Sequence, residues 1–202
     1  MFRKTLLSAA TLAAMMSTVP AFAAAGDPIA TTDAGQGTIQ FTGSVIDAPC
    51  SIPPDSQNIQ VNLGQVSLKT LSGADKTSSS VPVTINLTGC SFTEGAANAP
   101  AKYSKVAVSF PDANSPSGGA TKGEIVNGAS NPAENVVIQL LKSDATSPVD
   151  LTKTPSATDT DNIQLDATSS TNKLQFYARM MATGVATAGN VGATVTYKLH
   201  YF

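Results

Sequence analysis

Apolar residues recur at every second position along most of this chain, and the three-and-four spacing of a helix is almost absent. The alternation is plainest in Ile39-Gln40-Phe41-Thr42-Gly43-Ser44-Val45, in Val81-Pro82-Val83-Thr84-Ile85-Asn86-Leu87 and in Val195-Thr196-Tyr197-Lys198-Leu199-His200-Tyr201. Each of these presents one apolar face. Ile59–Val66, Lys105–Phe110, Val136–Leu141 and Leu174–Ala182 read as further strands, because each is bounded by clusters of Gly, Pro, Asn, Asp or Ser. The stretches Asp112–Ala120 and Asp144–Asp161 read as surface loops or weakly ordered hairpins, and no repeat of fixed period is present.

Short strands joined by polar connections, with no composition shift to mark a second domain, predict one all-β antiparallel sandwich of the immunoglobulin type. The alternation starts only at Gly37. Before it, Arg3 and Lys4 precede an apolar stretch from Leu6 to Val19, and Pro20-Ala21-Phe22-Ala23 closes the segment. This is the layout of a secretory signal over residues 1–23, cleaved after Ala23. Ser8, Thr11 and Ser17 interrupt the stretch, which is shorter than the roughly 20 residues a membrane span needs. Residues 24–36 are small and polar and read as a flexible lead-in. No segment of the mature chain is apolar enough to span a membrane.

Charge and composition remove whole classes of partner. Only 13% of the 202 residues are charged and the formal net charge is −2, so the surface is built from neutral polar groups. Nothing here forms the basic footprint that nucleic acid or an anionic membrane requires. An exported chain meets an oxidising compartment, and its even pair of cysteines, Cys50 and Cys90, is expected to form one structural disulfide.

Catalytic and metal chemistry find little to work with. His200 is the single histidine, sits at an outward position of the last alternating segment, and has no nucleophile motif to serve. Asp159, Asp161 and Asp166 invite a calcium loop, but Ile163 stands where the next ligand belongs and the turn glycine is missing. Asn86-Leu87-Thr88 matches a glycosylation acceptor but falls inside an alternating strand. Arg179 is suited either to a cross-strand carboxylate or to a neighbouring subunit. The chain is therefore expected not to be an enzyme, and to need no cofactor and no metal.

The run Gly37-Thr38-Ile39-Gln40-Phe41-Thr42-Gly43-Ser44-Val45-Ile46-Asp47-Ala48-Pro49-Cys50 resembles the N-terminal signature of chaperone–usher pilus subunits, in which a Gly-x-apolar-x-Phe-x-Gly-x-Val run leads to the first cysteine. Val61–Val66 and Val83–Cys90 are similar to the strands that follow it in that family. Phe176–Gly189 resembles the segment before the last strand of type 1 major pilins, and Tyr201 is the penultimate tyrosine of the family pattern. Phe202 departs from the pattern, since family members do not usually end on an aromatic.

This resemblance implies an incomplete immunoglobulin-like sandwich whose seventh strand is missing. It further implies that a periplasmic chaperone fills the resulting groove first. At the outer-membrane usher the N-terminal extension of the next subunit then replaces the chaperone. In that scheme residues 37–47 are the donor strand, with Gly37, Ile39, Phe41, Gly43 and Val45 on its inserting face, and residues 48–202 are the pilin domain. Val195, Tyr197, Leu199, Tyr201 and Phe202 form the terminal strand beside the groove, the Phe202 carboxylate being the chaperone's anchor. The pattern alone leaves a second reading open, in which Gly37–Asp47 is the chain's own first strand. The implied function is a structural subunit that polymerises head to tail into an adhesive fimbria on the cell surface. A minor adaptor or tip-adhesin subunit is the alternative.

Overall fold

Alternation becomes strand only where a second strand lies close enough to pair with it. The structure, a computed structural model, describes residues 37–93 and 101–202, so the expected signal at 1–23 and lead-in at 24–36 lie outside the described residues. The chain divides into two units, residues 1–44 and residues 45–202. In the first, residues 37–44 form no strand, and Ile39 and Phe41 are 78% and 88% exposed.

The second unit carries the sandwich. Its strands are β1 (Val81–Thr88), β2 (Lys105–Ser109), β3 (Glu124–Val126), β4 (Val136–Leu141), β5 (Ile163–Gln164), β6 (Thr171–Ala182) and β7 (Lys198–Tyr201). One sheet has the order β1-β6-β4-β3 and the other the order β5-β2-β7, with every pairing antiparallel. β6 organises the larger sheet, pairing with β1 along one edge and β4 along the other. Its alternation sends Leu174, Phe176, Ala178 and Met180 inward.

Ile85 and Leu174 face each other across β1 and β6, and both are buried. Phe110 meets Phe176 edge to face at 6.1 Å, linking the end of β2 to the opposite sheet. Cys50 and Cys90 form the expected disulfide, beside a two-bond bridge between Ser51 and Thr88. A short helix, α1 (Pro54–Gln57), begins at a proline suited to a first helical turn.

Gly123 shows why a small residue is required between elements. Its φ is +68°, and a Cβ there would run into the Leu140 carbonyl, to whose own N–H the Gly123 carbonyl is bonded at 2.8 Å.

The structure corrects several strand expectations. β3, β5 and α1 are too short to be read from an alternating pattern. Ile59–Val66 is not a strand, and the last strand starts at Lys198 rather than Val195. In both stretches the apolar residues still turn inward: Ile59, Val61, Leu63 and Val66 are half-buried, as are Val195 and Tyr197. The missing element is a partner for their backbones.

Candidate functional site

Those two unpartnered stretches are the walls of a groove. It has a volume of about 1170 Å³ and is lined by Ile59–Val66 on one side and by Val191–Tyr197 on the other. Its floor is the inner face of the larger sheet, including Ile85, Ile138, Phe176 and Met180. It runs from the main core around Ile85 and Phe176 to a smaller one built on Leu71, Val136 and Met180. Its size exceeds the usual few-hundred to ~1,000 Å³ of a small-molecule pocket.

Backbone accounting gives the walls their character. Asn58–Val66 make no backbone–backbone hydrogen bond among the described residues, and Gly64 N–H goes to its neighbour Asn62 Oδ1 at 2.9 Å. On the other wall the Gly192 N–H is held by Asn127 Oδ1 at 3.0 Å and the Thr196 N–H by Asp112 Oδ1 at 2.7 Å. Between them Ala193, Thr194 and Val195 make no hydrogen bond to another described residue. Extended backbone on both sides of an apolar trough, with most of its donors and acceptors unpaired among the described residues, is chemically able to hydrogen-bond a further strand.

The ends of the groove are closed by specific contacts. Tyr197 donates its hydroxyl to the Ser56 carbonyl at 2.6 Å, and Ser56 Oγ in turn accepts the Asn86 N–H at 3.0 Å, so α1, β1 and the terminal segment meet at one point. At the far end Gly189 lies so close to Pro132 and Ala133 that a side chain there would collide with their backbone. Asp112 is held below the usual carboxylate range, first by the Thr196 hydroxyl and then by the Thr196 amide.

The residues expected along the terminal strand separate into two sets. Val195 and Tyr197 line the groove. Leu199 and Tyr201 pair with β2 and pack on the main core, while the Phe202 carbonyl accepts the Lys105 N–H at 3.2 Å. Of the donor-segment residues in the second unit, Val45 is fully exposed. The residues that hold the groove walls and that sequence reasoning missed are Asp112, Asn127 and Ser56. Only Asn127 carried a signal, the Asn-Gly pair it makes with Gly128 in the sequence.

The other candidates have ordinary partners. His200 Nε2 lies 2.9 Å from Ser109 Oγ across the β2–β7 pair, and Arg179 Nε donates to Gln139 Oε1 at 2.8 Å rather than to a carboxylate. Asp159 and Asp161 both accept from Lys153 Nζ at 2.6 Å, while Asp166 accepts from its own turn at Thr168. No helix among the described residues is long and apolar enough to cross a membrane.

Two predictions arise from the tyrosines. Burial raises the phenols of Tyr197 and Tyr201, the latter to about 12 with a further contribution from Tyr197. The unfolded phenol ionises near 10, so the stabilisation is complete below pH 10 and is lost as pH rises towards 12. Urea midpoints measured from pH 8 to pH 12 will fall in that window. The Tyr201 hydroxyl has no hydrogen-bond partner among the described residues. Tyr201→Phe is therefore expected to raise stability by about 1 kcal/mol in urea unfolding, because a buried unsatisfied group is removed at constant shape.

Comparison with known proteins agrees with this geometry. The sequence profile of the family described as fimbrial protein matches residues 39–201. The F17 fimbrial protein of Escherichia coli is 37% identical over 172 residues, covering 84% of this chain and 89% of that protein. The type-1 fimbrial protein A chain of Escherichia coli (strain K12) is 32% identical over 199 residues, covering 98% of each. A subunit in a solved chaperone–usher pilus superposes with a TM-score of 0.62 at 24% identity, over 86% of this chain and 99% of its own. An immunoglobulin-like sandwich with one disulfide and an open groove, matched along nearly its whole length by fimbrial subunits, places this chain in the fimbrial protein family.

Proposed function

We propose that this subunit builds the shaft of an adhesive fimbria by donating residues 37–47 to the groove of the copy added before it. The observation that carries the reading is the match between an apolar groove whose backbone walls are mostly unpaired among the described residues and an amphipathic segment whose apolar side chains are exposed. Lengths agree as well: Ile39 to Val45 and Val191 to Tyr197 are each six residue steps, about 20 Å in extended conformation.

In the seated strand Ile39, Phe41 and Val45 enter the trough, each contributing roughly 1.5–3 kcal/mol of transfer free energy, and the backbone completes ladders to both walls. Gly43, on the same face, suits a shallow part of the floor. The contact is heterologous and does not close, so its repetition generates a filament. A periplasmic chaperone occupies the groove before assembly, and the outer-membrane usher is where the exchange occurs. As a fimbrial subunit the protein is exported through the periplasm and ends on the cell surface.

The test uses a chain beginning at Ala48 and a synthetic peptide spanning Gly37–Asp47. A large, slowly formed and slowly reversed rise in unfolding midpoint on adding peptide is the expected result. A chain that is stable alone and indifferent to the peptide would show a self-complete sandwich and reject strand donation.

A further inference from the structure

The wall at Val191–Tyr197 continues β7 beyond the point where its own sheet can hold it. β7 pairs with β2 in a register that sets Ser109 opposite Lys198. Carried on by two residues, the register sets Pro111 opposite Thr196, and proline has no N–H to give. The ladder stops there, yet Thr196 is not loose. The Asp112 carboxylate accepts the Thr196 N–H on Oδ1 at 2.7 Å and the Thr196 hydroxyl on Oδ2 at 2.6 Å. Pro111 can give no N–H to the Thr196 carbonyl, and the Thr196 N–H is accepted by the Asp112 side chain in place of a backbone carbonyl.

The direction of this bond matters for the groove. Phe202 exchanges two backbone hydrogen bonds with Lys105, at 2.9 and 3.2 Å. Even-numbered residues of the terminal segment therefore direct their backbone groups at β2. Groups on successive residues of an extended chain point to opposite edges. Holding Thr196 towards β2 consequently turns the N–H and C=O of Val195 and Tyr197 to the free edge, where a donor strand would lie. The Gly192 bond to Asn127 fixes the other end of the same stretch.

We propose that Asp112 is a positioning residue for strand uptake: it keeps the wall extended and correctly faced while the groove is empty, so an incoming strand meets an ordered edge. The role rests on the strand-donation reading above and adds to it a control on rate. Ordering a loose edge during binding costs conformational entropy and slows association, whereas a preorganised edge avoids that step. Once a strand is seated, its ladder holds the wall and the clamp matters less.

The experiment follows uptake of a fluorescein-labelled Gly37–Asp47 peptide by the full mature chain, using anisotropy. Asp112→Ala is expected to lower the association rate by about tenfold, the effect of losing a charge-assisted bond, with little change in dissociation. Asp112→Asn can still accept the N–H and donate to the hydroxyl, and is expected to restore the rate to within about twofold of wild type. Association of Asp112→Ala at the wild-type rate would overturn the proposal. So would an effect on dissociation alone, which is what a general loss of stability would give.

Hydrogen exchange on the unmodified chain provides a second test that needs no variant. Without peptide, the Thr196 amide should be protected while those of Ala193 and Val195 exchange freely. Equal exchange at Thr196 and Val195 would reject the clamp. Failure of the wild-type chain to take up any peptide would instead reject strand donation itself, and this role with it.

Discussion

Gly43→Leu is expected to leave the folded chain unchanged and to stop it from polymerising. In the free chain a Cβ at Gly43 would meet nothing within 4 Å, so the monomer has room for the new side chain. The cost falls on the assembled state, where residue 43 shares the inserting face with Phe41 and Val45. A four-carbon side chain there must displace well-packed floor residues, and overpacking of this kind costs about 1–3 kcal/mol or prevents insertion outright. Phe41→Ala is the graded companion. It inserts without a clash but gives up about 3 kcal/mol of burial, which weakens seating roughly a hundredfold. Size-exclusion chromatography of the assembled material separates the two outcomes. Normal polymer from Gly43→Leu would remove residues 37–47 from the role proposed for them.

Cys50→Ser is expected to abolish accumulation of folded subunit. The disulfide joins residues 40 apart, and the loop it closes contains the whole Ile59–Val66 wall. In the chain-entropy account a loop of this length stabilises by about 4 kcal/mol. Cys50 is 2% exposed, so the serine also buries a hydroxyl among apolar neighbours. A complete domain of ordinary stability survives such a loss, but in this sandwich no strand among the described residues covers the groove. Periplasmic yield, and the urea midpoint with and without reductant, measure the effect. Unchanged yield would mean that the Ser51–Thr88 bridge alone suffices to hold the first wall.

The two wall segments show where sequence reading succeeds and where it stops. Ile59–Leu63 and Val81–Leu87 both alternate, and in both the apolar residues turn inward. Only the second is a strand, because β6 lies beside it and supplies eight paired positions. Periodicity reports which face is buried; it does not report whether a neighbour is present to take the hydrogen bonds. The same distinction separates Val195–Tyr197 from Lys198–Tyr201, where the ladder ends at the Ser109–Lys198 pair, two residues short of Pro111.

The amino-acid sequence by itself determined the β class, the inward residues of the main strands, the cysteine pairing, and the resemblance of the first alternating segment and the last strand to pilus subunits. These follow from local alternation, residue counts and motif order, all of which are properties of the chain alone. The open groove, the two unpaired walls, the Tyr197–Ser56 closure and the Asp112–Thr196 clamp were decided only by the tertiary structure. Each joins groups 84 or 141 residues apart, or depends on which backbones find a paired neighbour among the described residues. A hydrogen bond between distant segments exists only when the rest of the fold has brought its two ends within reach, and no spacing along the chain encodes that distance.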